Sequence, residues 1–336
     1  MLGRLSLRFG WSHFFLEYTP GSRDSGDGAT LLTRPMRLAT VLSLTLCTCL
    51  SAQVQFNRDQ IQVTVNGKPF TTFHYGEESG KPYLAPVRSA SGKVVTRRFP
   101  MEDTQGESRD HLHHTGLWFS FDDVNGTKLW ENDPSYTKPH MGRIVVRNAE
   151  WKNGEPVLTA IMDWRDTDGK VLLTENRKMT FAGDDKLRAI DFEIILTAAQ
   201  DVVFGDTKEG AFAIRLDDAF TEKRGGKMTD ADGRATMAKV WGKRSNWVDY
   251  TTDLQGERIG VAMFDHPQNP RHPTYWHARD YGLFALNPFG QNAFDPAQPE
   301  SHWKLANGQS LTFRWEVVIH SGDANVAELY KKYAGK

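Results

Sequence analysis

Leu311-Thr312-Phe313-Arg314-Trp315-Glu316-Val317-Val318-Ile319 places apolar side chains at every second position, with Thr312, Arg314, Glu316 and Val318 between them. Successive side chains on a strand point to opposite faces, so this alternation predicts a strand with one face on a core. The same period recurs at Ile190, Phe192, Ile194 and Leu196, and at Ile61, Val63 and Val65, where it ends on the hairpin turn signal Asn66-Gly67. Further short runs lie at 143–147, 157–163, 171–181, 211–216 and 259–264, separated by Asp-Gly, Asn-Gly and Gly-Asp pairs. Many short strands punctuated by turns predict an all-β chain, built as a large antiparallel β-sandwich. One short C-terminal helix is expected, capped by Asp323, with Val326, Leu329, Tyr330 and Tyr333 on one face.

The chain has 336 residues, with 41 Lys and Arg against 42 Asp and Glu, a formal charge of −1. A nucleic-acid binder normally carries a basic surplus to neutralise phosphates, so no nucleic-acid partner is expected. A hydrophobic fraction of 39% and a mean hydropathy of −0.53 fit a folded chain better than a disordered or multi-span one. No internal repeat or low-complexity linker divides residues 53–336, which are read as a single β-sandwich domain.

Residues 38–50 form one short apolar run, preceded by Arg34 and Arg37 and followed by Ser51-Ala52. A basic flank, a short apolar core and a small-residue exit describe a signal peptide, placed here at 36–52. The run is too short for a transmembrane helix of about 20 residues. Met36 is read as the true start and residues 1–35 as an extension from a misplaced one. The expected location is therefore periplasmic or extracellular, with no integral membrane association after removal of the signal. Both cysteines, Cys47 and Cys49, fall inside the run. The mature chain then has no cysteine for disulfides, metal ligation or nucleophilic attack.

Three stretches carry chemistry. In Asp110-His111-Leu112-His113-His114, an extended backbone would put His111 and His113 on one face and His114 on the other. A His-X-His pair can present two imidazoles to one metal ion, so a divalent metal held by His111 and His113 is an alternative. A cupin would need a nearby downstream glutamate, and the next one is Glu131. The second stretch, Lys208-Glu209-Gly210, can supply an acid/base pair or a carboxylate to a sugar hydroxyl. The third runs from Trp241 and Arg244 through His266, Arg271, His272, Trp276, His277 and Arg279 to Asn287. Prolines at 267, 270 and 273 exclude a helix or central strand, so 265–275 is expected to be an ordered loop. Aromatic rings interleaved with Arg, Asn and His suit a carbohydrate, whose C–H faces stack while its hydroxyls take hydrogen bonds.

Pro82-Tyr83-Leu84-Ala85-Pro86-Val87-Arg88, Asp110 to Phe119, Asp123-Val124-Asn125-Gly126, Lys208-Glu209-Gly210, Trp241-Gly242-Lys243-Arg244 and Asn287-Pro288-Phe289-Gly290 together resemble the bacterial PmoA-like family of unknown function. The resemblance covers the chain from about residue 55 onward, with Leu112 where family members commonly carry proline. It implies a supersandwich like that of galactose mutarotase, and through that fold analogy a carbohydrate ligand. The label methane oxygenase often given to the family implies a membrane subunit, which a chain without a mature apolar stretch of about 20 residues cannot be.

The expected function is binding or processing of a small-molecule or oligosaccharide ligand by histidine acid/base chemistry, as in a carbohydrate epimerase, lyase or hydrolase. His113 or His114 would move the proton, with Glu209 or His277 as the opposite partner. The binding residues are expected to be His111, Lys208, Trp241, Arg244, His266, Arg271, Trp276, Arg279 and Asn287, with Arg244 and Arg279 holding an oxyanion or carboxylate. A non-catalytic glycan-binding module is the remaining alternative.

Overall fold

A computed structural model describes residues 52–76, 79–133, 141–152 and 154–336. The extension at 1–35 lies outside the described residues, and so does the signal peptide at 36–52 except for Ala52. The strands are β1 (Ala52–Asn57), β2 (Gln60–Val65), β3 (Lys68–His74), β4 (Tyr83–Leu84), β5 (Leu117–Phe121) and β6 (Arg143–Lys152). Next come β7 (Val157–Arg165), β8 (Val171–Gly183), β9 (Leu187–Ala198), β10 (Val202–Phe204), β11 (Gly210–Arg215) and β12 (Lys227–Asp230). The last are β13 (Trp247–Leu254), β14 (Glu257–Asp265), β15 (Tyr275–Ala278), β16 (Leu283–Asn287), β17 (Trp303–Leu305) and β18 (Ser310–Ser321). Three short helices accompany them, α1 (Met237–Val240), α2 (Gln291–Phe294) and α3 (Val326–Ala334).

The strands form two eight-stranded antiparallel sheets. The first runs β1-β2-β3-β4-β5-β11-β16-β15 and the second β12-β13-β14-β18-β9-β8-β7-β6, with β10 and β17 as a separate pair. Alternation explains what lies between them. Phe313, Trp315, Val317 and Ile319 of β18 share one buried core with Ile190, Phe192, Ile194 and Leu196 of β9 and with Phe119, Phe212 and Leu286 of the first sheet. Phe212 meets Phe192 at 4.8 Å and Trp315 at 5.0 Å, ring to ring across the sandwich. The all-β antiparallel sandwich is as the sequence period requires.

Asn66 and Gly67 turn the β2–β3 hairpin at φ 55° and 71°, the left-handed pair that a two-residue hairpin loop requires. The C-terminal helix covers the outer face of the second sheet. There Val326 and Tyr333 pack on Ala189, Ala262, Phe264 and Val318. Its cap is Asn325, whose side chain accepts from the Glu328 amide at 3.2 Å, whereas Asp323 sits two residues too early and faces Arg258. Among the described residues no helix is long and apolar enough to cross a membrane.

Candidate functional site

Among the described residues the middle of the first sheet's outer face carries no helix like α3 and is built from small residues, while Phe294 of α2 packs on Tyr275 and His277 at its edge. One row crosses five strands as Tyr83, Trp118, Ala213, Ala285 and His277. Ala213, Leu283 and Ala285 form a floor with Trp118 and Trp130, and Tyr83 and Tyr281 pack against it. Small side chains between a tryptophan and a histidine leave room above the sheet, and the segment before β5 occupies its edge.

That segment is not extended. His111 takes a left-handed backbone with φ 46°, and the His114 amide donates to the His111 carbonyl at 3.0 Å, closing a turn. All three imidazoles are thereby gathered instead of alternating between faces, with ring centroids 4.5–5.7 Å apart. Non-glycine residues rarely adopt this conformation, and it persists only where surrounding contacts enforce it. Here Arg97, fully buried, donates to the carbonyls of Asp110 and His111 at 2.9 Å and 3.0 Å. The turn builds a stack of four rings: Trp118 to His114 at 5.3 Å, His114 to His111 at 4.6 Å, and His111 to Tyr281 at 5.2 Å.

Hydrogen bonds set His111 and His114 in different states. The Asp110 carboxylate accepts from His111 Nδ1 at 2.9 Å, which leaves the lone pair on His111 Nε2. Burial opposes the charge of Asp110, but the His111 bond and the guanidinium groups of Arg215 and Arg97 hold its carboxyl well below the usual carboxylate range. His111 keeps 39% of its side chain exposed, so this oriented imidazole is accessible. His114 is the opposite case. An arginine can only donate, so the 3.2 Å contact from Arg215 Nη1 makes His114 Nδ1 an acceptor and puts the ring proton on Nε2. Burial, His113 and Arg215 push its pKa well below the ordinary value, leaving it a neutral donor.

His277 donates from Nδ1 to the Lys208 carbonyl at 2.9 Å, which leaves Nε2 as an acceptor. Burial, helped by Lys208 and Arg279, lowers its pKa to about 3. Tyr281 is raised by burial and stays protonated, with the charges of Arg279, Arg215, Glu209 and Asp110 all acting on it. Glu209 is paired with Lys208, and Trp241 meets the His277 ring edge-on at 6.4 Å. The three stretches singled out in the sequence therefore meet around this face. A cavity of about 430 Å3 lies alongside, lined by Asp110, Arg215, Asp218, Arg224, Asp280 and Tyr281 among others.

Other expected site residues lie elsewhere. Trp276 points into the core between the sheets, fully buried, with its indole N–H on the Ser245 carbonyl at 2.8 Å; even-numbered positions of β15 face inward, so its ring offers no platform to a ligand. His266 lies against Tyr333 and Arg314 at the second sheet. Asn287 is consumed by the Thr207 carbonyl and the Phe289 and Gly290 amides. Arg271 donates to Pro288 and Ser301, and Arg244 to the carbonyls of Pro273 and Arg271, so both clasp the proline loop. That loop is ordered as expected, but around Asp265, whose carboxylate takes Asn269, His272, Thr274 and Trp315. For the metal alternative, the described residues contain no group of three or more His, Cys, Asp or Glu that could hold an ion.

Several contributors were not legible in the sequence. Arg97 and Arg215 share Asp110, and Lys81, buried, donates to the Trp130 and Asn132 carbonyls at 3.0 Å and 3.1 Å to hold that segment over Trp118. Buried arginine and lysine are rare unless partnered, and the partners are far apart in the chain. The indole N–H groups of Trp118 and Trp130 and the hydroxyl of Ser120 are buried on this face with no hydrogen-bond partner among the described residues. Each such group costs about 1–3 kcal/mol while unpaired.

A profile for a family of unknown function spans residues 60–334, nearly the whole described chain. The chain belongs to that family, DUF6807. No curated protein matches this DUF6807 chain. Among solved structures it is similar to the galactosidase domain of an α-galactosidase–sucrose kinase, with 10% identity and a TM-score of 0.40 over 80% of this chain and 42% of that one. It is similar also to a galactose mutarotase-like protein from Clostridium acetobutylicum, with 9% identity and a TM-score of 0.40 over 81% of this chain and 99% of that one. An α-galactosidase from Geobacillus stearothermophilus gives 11% identity and 0.38 over 81% and 41%. The chain thus spans about two fifths of each α-galactosidase chain it matches, and likenesses at these TM-scores carry no functional argument for the DUF6807 protein.

Proposed function

We propose that the outer face of the first sheet binds and processes carbohydrate by imidazole acid/base chemistry. The observation that carries the reading is the Asp110–His111 pair inside the four-ring stack. A carboxylate on Nδ1 fixes the tautomer, and stacking between His114 and Tyr281 fixes the ring plane, so Nε2 is an oriented base. His114 Nε2–H and the protonated Tyr281 hydroxyl supply donors beside it, and Glu209 and His277 are the candidates for the opposite side of the ligand. The rings and the unpartnered Trp118, Trp130 and Ser120 groups suit a hydroxyl-bearing ligand with apolar C–H faces. The PmoA-like resemblance rests on sequence motifs alone and contributes no activity. Export of the protein is likewise proposed from residues 36–52 alone.

The test is incubation of the purified protein with a panel of neutral and acidic oligosaccharides, with products followed by mass spectrometry. His111→Asn is expected to lower turnover by about 100- to 10,000-fold, the usual contribution of a positioned base, with little change in Tm. Turnover unaffected by this substitution would remove the base assignment. Binding without any turnover would favour a glycan-binding module.

A further inference from the structure

Arg279 stands apart from the other arginines around this site. Arg97 and Arg215 share the Asp110 carboxylate, Arg224 reaches Asp218 at 3.4 Å, and Arg244 and Arg271 donate to backbone carbonyls. The guanidinium of Arg279 makes no hydrogen bond and no ion pair with any described residue, and its Nε is buried. Its Cζ lies 5.4 Å from the centroid of the Tyr281 ring. Glu209 is engaged with Lys208 and Asp110 with two arginines and His111, and among the described residues no ion pair joins the adjacent Asp280 to Arg279. The backbone, in contrast, is fully tied. Arg279 N donates to the Leu283 carbonyl at 2.8 Å, and its own carbonyl accepts from Gly282 at 3.1 Å and from the Tyr250 hydroxyl at 3.1 Å.

A fixed backbone carrying an uncompensated guanidinium is costly as structure, because a partly desolvated charge without a partner loses hydration and gains nothing. It is useful as recognition, because the planar fork of arginine matches a carboxylate in two parallel hydrogen bonds. The ring beneath it is the one stacked on His111, so Tyr281 links the guanidinium to the oriented imidazole. We infer that the ligand of this face is a saccharide bearing a carboxylate, a uronic-acid unit, and that Arg279 binds that carboxylate. The inference rests on the carbohydrate reading above and narrows its substrate class.

The probes are oligogalacturonides and glucuronate-containing oligosaccharides, set against neutral galacto- and gluco-oligosaccharides of equal length, measured by calorimetry at two salt concentrations. The uronates are expected to bind at least about 10-fold more tightly than their neutral counterparts and to weaken as salt rises. Arg279→Gln should abolish that preference through a loss of uronate affinity of at least about 10-fold, and Arg279→Lys should restore part of it, since the point charge remains and the fork does not. A Tm for each variant establishes that it is folded. Equal binding of both classes by the wild type, or an undiminished preference in folded Arg279→Gln, overturns the uronate inference and leaves the carbohydrate reading standing. Binding of neither class overturns both.

Discussion

The outer faces of the two sheets solve the same problem in opposite ways. On the second sheet, α3 lies over Ala189, Ala262, Phe264 and Val318, and the charges around it pair with each other. Lys336 bridges Asp191 at 2.9 Å and Glu316 at 2.7 Å, and Arg314 meets Glu193 at 2.9 Å. On the first sheet, the row through Ala213 and Ala285 carries no such helix. A strained turn brings three imidazoles over it, and two indoles, a serine and a guanidinium are left without hydrogen-bond partners among the described residues. The second face pairs most of its charges within the fold, although the Tyr333 hydroxyl there is also buried without a partner among the described residues, whereas the first gathers several such groups around one row of small residues. Buried polar groups without a partner are uncommon, so a cluster of them calls for an explanation.

The contrast can be broken most directly by exchanging the expected effects. His111→Asn should remove turnover and barely move Tm, whereas Tyr333→Ala, which empties a buried position under α3, should cost about 3–5 kcal/mol of stability in denaturant titration. Tyr333→Ala that remains folded should keep its saccharide affinity. If that affinity falls with Tyr333→Ala, the two faces are not independent.

A second difference is the sign of pH dependence. His277 on the first sheet has an ordinary value of 6.5 in the unfolded chain and about 3 when folded, because burial and the charges of Lys208 and Arg279 oppose protonation. As pH falls from 6.5 towards 3, the unfolded chain takes a proton that the folded one refuses, so stability is lost over that window and is complete above it. His320 on the second sheet runs the other way. Burial opposes its charge, but the Asp249 carboxylate 3.2 Å from Nε2 prevails and raises it above 6.5. Its contribution is complete below 6.5 and disappears as pH rises through the folded value. Thermal unfolding across pH should therefore show less acid loss in His277→Gln, and a loss confined to the acid side in His320→Gln. Parallel profiles for the two variants would sink the comparison.

The smallest effects sharpen it. Ser120→Ala removes a buried hydroxyl without a protein partner, so stability should hold to within about 0.5 kcal/mol while ligand affinity falls about 2- to 10-fold. Lys336→Ala removes two ion pairs of a half-exposed lysine and should cost at most about 1 kcal/mol, with affinity unaltered.

The architecture was legible because a strand's period is local. The alternating residues of β18, β9 and β2 announce which face is buried without reference to any partner strand, and Asn66-Gly67 announces the turn. The chemistry-bearing stretches were legible by residue type, and His111, His113, His114, Glu209, His277 and Arg279 do come together. Their roles were not legible. An extended reading of 111–114 put the imidazoles on two faces, while a left-handed His111, held by Arg97 from another part of the chain, gathers them on one. Nor could the sequence separate Arg279 from Arg244 and Arg271, since all three lie in one aromatic-rich stretch and differ only in what they touch.

The chain's own order of residues determined the strands, their buried faces and the segments rich in titratable groups, because those follow from spacing along a single backbone. Which ring carries its proton on which nitrogen, which cation lacks a counter-charge and which tryptophan is core and not platform were decided only in the fold. Those properties belong to pairs of groups brought together from distant positions, and desolvation and hydrogen bonding act on such pairs only once the sheets have closed around them.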